Sequence, residues 1–230
     1  CDAASGLRGA LECVTCGEAI ARWPRAEQVL GPAGVLRFGP SPVHKTLEAF
    51  LARAERQWVV DRAGRPLDPT HSADLFVEAS PLELAEDLLQ ALESSRPRAE
   101  AAPHDPKSSP SDEYESDWLA RWREAEERAR GALEGPLALE PLWSGGVAAA
   151  LAASLAPDSL LHVASSLAIR DVDAFASLAG GPALSSSRGA NGIDGTLSTA
   201  AGLALTRGGR ATVLCGDLAF LHDLGGLAAC

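Results

Sequence analysis

Short apolar runs alternate with longer periodic stretches toward both ends of this 230-residue chain, and a polar stretch separates them. In the first part, Gly34-Val35-Leu36-Arg37-Phe38 and Gln57-Trp58-Val59-Val60 read as strands, the second closed by the turn Asp61-Arg62-Ala63-Gly64. Asp74-Leu75-Phe76-Val77-Glu78 reads as a third. Between the first two, Val43 to Ala54 carries a helical period that puts Leu47, Phe50 and Leu51 on one face. Ser80, Pro81 and Glu83 fit the N-cap, N1 and N3 positions of a further helix running to about Leu92. Strands and helices alternating at this spacing predict βαβ units around a parallel sheet.

Ser94 to Glu113 is rich in Pro, Ser, Ala and charge and can bury little surface, so it reads as a linker. Asp117 to Leu133 follows as a charged helix whose apolar side holds Trp118, Leu119 and Trp122 for packing. The second part begins near Leu137. It predicts an Ala-dense helix over Pro141 to Leu155, a buried strand over Leu160 to Ala164 and a short strand over Ala183 to Ser186. A helix over Thr196 to Leu205, a strand over Ala211 to Cys215 and a helix over Leu218 to Ala229 complete it. The expected fold class is therefore α/β, with parallel sheets flanked by helices in two partial domains. Residues 1–93 and 137–230 form the domains, and 94–136 the linker with its charged helix.

Composition narrows the function classes. A formal net charge of −11 argues against a nucleic-acid surface, which needs clustered Lys and Arg. No run of about 18 apolar residues suggests a membrane span, and no basic start with an apolar core marks a signal peptide; the expected location is cytoplasmic. Five scattered cysteines do not read as a disulfide framework. Cys13 and Cys16 are either half of a zinc site that lacks its second pair or two packed thiols. The chain has no Met and starts with Cys, which leads us to expect a fragment cut at both ends.

In open α/β sheets, ligands bind beyond the carboxyl ends of the strands. Three such ends carry Ser165-Ser166-Leu167-Ala168-Ile169-Arg170-Asp171, Ser187-Arg188-Gly189 and Gly216-Asp217. Gly189, Gly192 and Gly195 are expected to take positive φ and admit a ligand close to the backbone. The helix from Thr196 is expected to offer free N–H groups and its positive dipole end to an anion. Asp217 is a hard oxygen ligand suited to Mg²⁺, which usually binds one or two carboxylates plus phosphate oxygens. Arg170 and Arg188 can each grip a carboxylate or phosphate with two parallel hydrogen bonds. On these residues alone, a phosphate or cofactor site and a tight-packing loop with a helix-capping Asp are both open.

The run Ser187 to Ala200, Ser-Arg-Gly-Ala-Asn-Gly-Ile-Asp-Gly-Thr-Leu-Ser-Thr-Ala, resembles the thiamine-diphosphate domain of the MenD family. So does Gly216 to Leu224, Gly-Asp-Leu-Ala-Phe-Leu-His-Asp-Leu. These are the menaquinone-pathway 2-succinyl-5-enolpyruvyl-6-hydroxy-3-cyclohexene-1-carboxylate synthases. Upstream, Ser166 to Asp173, Asp68-Pro69-Thr70-His71, Arg37-Phe38-Gly39 with Lys45, and Ala4-Ser5-Gly6-Leu7-Arg8 are similar to further stretches of that family. The resemblance implies a thiamine-diphosphate-binding fold. It also implies a transferase that decarboxylates 2-oxoglutarate and joins the remainder to isochorismate, with thiamine diphosphate and Mg²⁺ or Mn²⁺ as cofactors. It assigns Asp217 to the metal and Ser166, Gly192, Ile193, Gly216 and Asp217 to the cofactor. Ile193 would be the apolar wedge beneath it, and Ser166 and Ile193 the catalytic contacts. Arg188, Arg170 and Lys45 would face the substrate carboxylates. A homodimer or higher homo-oligomer is implied for the full-length protein, since this class binds its cofactor between subunits.

The chain departs from the family pattern in three ways. The amino-terminal domain with its activating Glu is absent, the Asn and Gly that complete the metal motif lie beyond the last residue, and Ser187 stands where relatives often have Asn. The isolated chain is thus expected to be inactive. Two other readings stay open: a different 2-oxo-acid decarboxylase resembling acetolactate synthase, and a non-catalytic protein on a degenerate cofactor fold.

Overall fold

The computed structural model describes residues 1–5, 7–8, 13–95, 110–137, 142–189 and 191–229. Gly6, Ala190, Pro141, Cys230 and most of the expected linker lie outside the described residues. The elements run α1 (Gly17–Ala21), α2 (Ala26–Leu30), β1 (Gly34–Phe38), α3 (Lys45–Leu51), β2 (Arg56–Asp61), β3 (Leu75–Glu78), α4 (Pro81–Ser95) and α5 (Pro110–Leu137). They continue as α6 (Ser144–Ser154), β4 (Leu160–Val163), α7 (Leu167–Phe175), β5 (Ala183–Ser186), α8 (Thr196–Arg207), β6 (Ala211–Leu214) and α9 (Asp217–His222).

Each sheet has three parallel strands, as the alternation predicts. The orders are β1-β2-β3 and β5-β4-β6. In both, the most buried strand is central, because a parallel strand flanked on both sides is covered on both faces. Val59 and Val60 of β2 are buried, and all four residues of β4 are. Burying Leu161 and Val163 contributes about 1.5–3 kcal/mol each. Helix crossovers α7 and α8 bring β5 and β6 back parallel on either side of β4.

The compact units divide differently from the expected 1–93, 94–136 and 137–230. One unit is Ala21–Arg123; the other joins Cys1–Ile20 to Glu124–Cys230, so the boundary falls within α5. The reason is a buried clasp. Arg8 sends Nη1 to Asp173 O at 2.7 Å, Nε to Cys1 O at 2.9 Å and Nη2 to Thr15 O at 3.1 Å, and it pairs with the Asp173 carboxylate. Asp173 Oδ1 also accepts Ala3 N–H at 2.7 Å. Both ionic side chains are 4 % exposed, so the amino-terminal residues are tied to α7 by charges that water cannot replace. Farther along, Glu126 accepts Thr15 Oγ1 at 2.7 Å and Cys16 N–H at 2.7 Å, adding a second tie.

Three other differences have local causes. Helix α7 was not expected, since its residues read as a strand-end loop; it forms because Ile169 and Val172, three apart, are both fully buried. The expected helix from Leu218 to Ala229 is broken: α9 stops at His222 and a 3₁₀ stretch covers Leu224–Ala229. Asp223 turns aside to bond Ser198, and Gly225 and Gly226 are poor helix formers. Helix α5 begins earlier than the expected Asp117, at Pro110.

In the Ala21–Arg123 unit, Trp122 packs edge-on against Phe50, ring centroids 6.0 Å apart, and against Trp118 at 5.9 Å. That is the packing role expected of those tryptophans. The segments resembling the family in this unit also meet. Arg37 Nη2 donates to Leu67 O at 2.8 Å, Nη1 donates to Gly39 O at 3.1 Å, and the guanidinium lies 3.8 Å from Asp68.

Removing one partner of a buried ion pair leaves the other charge stranded. Arg8→Ala should therefore cost about 3–5 kcal/mol, read as a fall in the urea midpoint of the unit that contains α7.

Candidate active site

Three adjoining strand ends build the site. Backbone bonds continue past the ladders: Ala164 N–H donates to Leu214 O at 2.9 Å, and Ser187 N–H to Val163 O at 3.1 Å. Ser165 Oγ donates to Ser187 O. The carboxyl ends of β5, β4 and β6 thus stand side by side in that order, carrying Ser187-Arg188, Ser165-Ser166 and Gly216-Asp217. The three strand ends that sequence reasoning singles out therefore adjoin one another within one unit.

Ser166 is the N-cap of α7 and is exposed, with φ 68° and ψ −124°. This backbone shape is costly for a residue with a Cβ, of order 1–3 kcal/mol, and such strain collects at functional sites. One turn on, Arg170 Nη2 lies 3.4 Å from Ser166 Oγ, so helix spacing sets the pair side by side. Arg188 is half-buried and reaches Asn191 Oδ1 at 3.5 Å. Asp217 opens α9 after the Gly216 N-cap; its exposed carboxylate accepts Leu218 N–H at 2.8 Å. Ile193 is 46 % exposed in the turn before α8, an apolar side chain held out where a folded core gives it no cover.

Two expectations about the turn need correction. Positive φ falls at Asn191 (56°) and Gly195 (67°), and not at Gly189 or Gly192. At Gly192 the demand is space: a Cβ there would lie 2.2 Å from Asp194 Oδ1. Nor is the start of α8 open to an anion, because Asp223 already caps it. Its Oδ2 accepts Ser198 N–H at 2.8 Å and its Oδ1 accepts Ser198 Oγ at 2.9 Å. The Ser198 N–H, with the Ser198 hydroxyl and Leu197 N–H, holds this carboxyl below its ordinary range. Gly226 closes over the same turn, where a Cβ would come within 2.7 Å of Ser198 N.

Lys45, expected beside the substrates, is exposed at the first position of α3 in the Ala21–Arg123 unit. Among the described residues no group of three or more His, Cys, Asp and Glu side chains gathers as a ready metal cage. Cys16 is buried and burial pushes its thiol up, with the nearby Glu126 charge adding to the shift; it is a packed thiol.

Sequence reasoning missed His162. It is fully buried on β4, with Nδ1 3.2 Å from Ser185 Oγ and Nε2 3.2 Å from Ser187 Oγ. A histidine within an apolar strand gave no other signal. Burial lowers its pKa below the ordinary 6.5.

No family model matches the chain. Curated proteins do. It is 40% identical over 215 residues to the 2-succinyl-5-enolpyruvyl-6-hydroxy-3-cyclohexene-1-carboxylate synthase of Geobacillus kaustophilus, covering 92% of this chain and 34% of that protein. The synthase of the same name from Rubrobacter xylanophilus is 37% identical over 201 residues, 86% of this chain and 32% of its own. The chain belongs to this family. It spans about a third of the length of the synthases it matches. The Myxococcus xanthus synthase, 36% identical over 198 residues, matches 84% of the chain and 30% of its own length.

Two outcomes test this geometry. Ser166→Gly should be more stable than Ser166→Ala by about 1 kcal/mol or more, since both lose the hydroxyl but only glycine accepts φ 68° without strain; paired thermal melts read the difference. For His162, the folded pKa lies below 6.5, so the unfolded chain binds the extra proton. Stability from the neutral ring is complete above about pH 6.5 and drains as pH falls toward the folded value. The urea midpoint of the wild type should drop between pH 6.5 and 5 more steeply than that of His162→Phe.

Proposed function

We propose that this chain supplies the cofactor-facing part of a thiamine-diphosphate-dependent synthase. That enzyme decarboxylates 2-oxoglutarate and joins the remaining carbons to isochorismate. One observation carries the reading: Ser166, Arg188 and Asp217 share three adjoining strand ends, within a stretch 40% identical to a synthase of that name. When bound, thiamine diphosphate supplies the electron sink that lets a 2-oxo acid lose CO₂ and its remnant attack an acceptor.

The chain's own residues fit such a group. Asp217 offers an exposed carboxylate for Mg²⁺ or Mn²⁺, one protein carboxylate being enough when diphosphate oxygens complete the shell. Gly216 carries no side chain to crowd the approach, and Gly192 keeps the turn before Ile193 compact. Exposed Ile193 gives an apolar support for the cofactor's rings. Arg170 and Arg188 hold and orient substrate carboxylates, each by a planar fork. Ser166, presented on a strained N-cap, contacts the cofactor and substrate. Lys45 is a further substrate-facing cation. The capped start of α8 directs the anion-binding role to Asp217 with its metal and to the arginines.

The reading extends to a homodimer or higher homo-oligomer, to small-molecule substrates in place of nucleic acid, and to the cytoplasm. Among the described residues no helix is long and apolar enough to cross a membrane.

The test is a chimera in which this chain replaces the matching third of the Geobacillus kaustophilus synthase. The folded chimera should release CO₂ from 2-oxoglutarate and form the carboligation product. Asp217→Ala should reduce metal affinity and activity by about 10–100-fold or more. Arg188→Gln should raise the KM for one substrate by roughly 10–100-fold, the worth of a charge-assisted hydrogen bond. A folded chimera without either product overturns the reading.

A further inference from the structure

Ser187 is the last residue before the turn that carries Arg188, and β4 together with Ser165 just past its end holds it at three points. Its N–H donates to Val163 O at 3.1 Å, its carbonyl accepts Ser165 Oγ, and its hydroxyl meets His162 Nε2 at 3.2 Å. The other ring nitrogen of His162 meets Ser185 Oγ at 3.2 Å, two residues earlier on the same face of β5. One imidazole therefore spans two successive inward positions of the neighbouring strand. A neutral ring has one donor and one acceptor, and two hydroxyls that can each play either part satisfy both. His162 has no exposed surface, so no water competes for these positions. Arg188, by contrast, meets Asn191 Oδ1 at 3.5 Å, within its own turn. Ser187 directly precedes Arg188, so the backbone from which that side chain leaves is the one these bonds hold.

We propose that His162 is a positioning residue: by bridging Ser185 and Ser187 it fixes the base of the turn from which Arg188 reaches an anionic, carboxylate-bearing ligand. The ligand part rests on the function proposed above; the hold on the turn does not. A ring that only filled space in the core would be replaceable by any side chain of its volume. A bridging ring needs a polar atom at the Nε2 position.

The experiment uses the chimera described above, in which this chain replaces the matching third of the Geobacillus kaustophilus synthase, and four variants of it: His162→Phe keeps the volume and removes both contacts, His162→Gln places an amide near the Nε2 position, His162→Asn near Nδ1, and Ser187→Ala removes the shared hydroxyl. Amide hydrogen exchange is read at Ser187, Arg188 and Gly189 against Leu161 and Val163. The Arg188 Nε–H resonance is followed while 2-oxoglutarate is added. In His162→Phe, exchange at the turn should quicken at least 10-fold with β4 unchanged, and the 2-oxoglutarate response should weaken several-fold. His162→Gln should restore both and His162→Asn neither. Ser187→Ala should reproduce the Phe variant, and the double variant should add nothing. Unchanged exchange at the turn in both His162→Phe and His162→Asn sinks the proposal. So does quickening spread evenly over the sheet, which marks a purely structural ring. An unsubstituted chimera whose Arg188 ignores 2-oxoglutarate while its turn still depends on His162 removes the ligand assignment and leaves the hold intact.

Discussion

Strand β4 must be dry on both faces, and much of the second unit follows from that constraint. A central parallel strand has neighbours in both in-plane directions and layers above and below. Its four residues are accordingly buried, and the one polar member, His162, is accepted because both ring nitrogens find hydroxyls on β5. Once β4 is central, the topology leaves its carboxyl end between those of β5 and β6. Residues more than fifty positions apart in sequence, Ser166 and Asp217 among them, then follow adjoining strand ends. The candidate site is brought together by strand order more than by any local motif.

The sequence made regular elements legible where period and length agreed. β1, β5 and the start of α8 fall where the apolar pattern puts them, because each is bounded by turn or capping residues. The same pattern was silent on α7, a nine-residue helix with Ser166 at its N-cap in a conformation no propensity favours. At the site, residue types were readable but backbone shape was not. Glycine marks where positive φ is cheap, and that does not say where it is used: Asn191 and Ser166 take it while Gly189 and Gly192 do not. His162 escaped notice because a lone histidine within an apolar strand has no periodic signature.

The division into units depended on a long-range pairing that local reading has no means to find. Arg8 and Asp173 are 165 residues apart, and each is unremarkable in its own segment. Buried together, with carbonyls of Cys1 and Thr15 taking further guanidinium donors, they commit the first residues to the unit of α7. Such a pair adds little net stability over apolar packing, but it tolerates few alternative partners, so it specifies which surface the amino-terminal segment joins.

The carboxylate of Asp223 at the start of α8 has a further consequence. A helix start that binds a free anion answers to that anion's concentration in solution. Here the competing carboxylate is tethered at the residue that directly follows α9, so its effective concentration at the Ser198 N–H is fixed by the chain and not by the surroundings. An inorganic anion arriving at α8 must outcompete a resident that never diffuses away. The second helix start, at Asp217, carries its negative charge within the helix itself: the exposed carboxylate is part of the first turn and accepts the neighbouring Leu218 N–H. Two helix starts in one unit are thereby made unlike, one saturated by a carboxylate from farther along the chain and the other carrying an exposed carboxylate of its own.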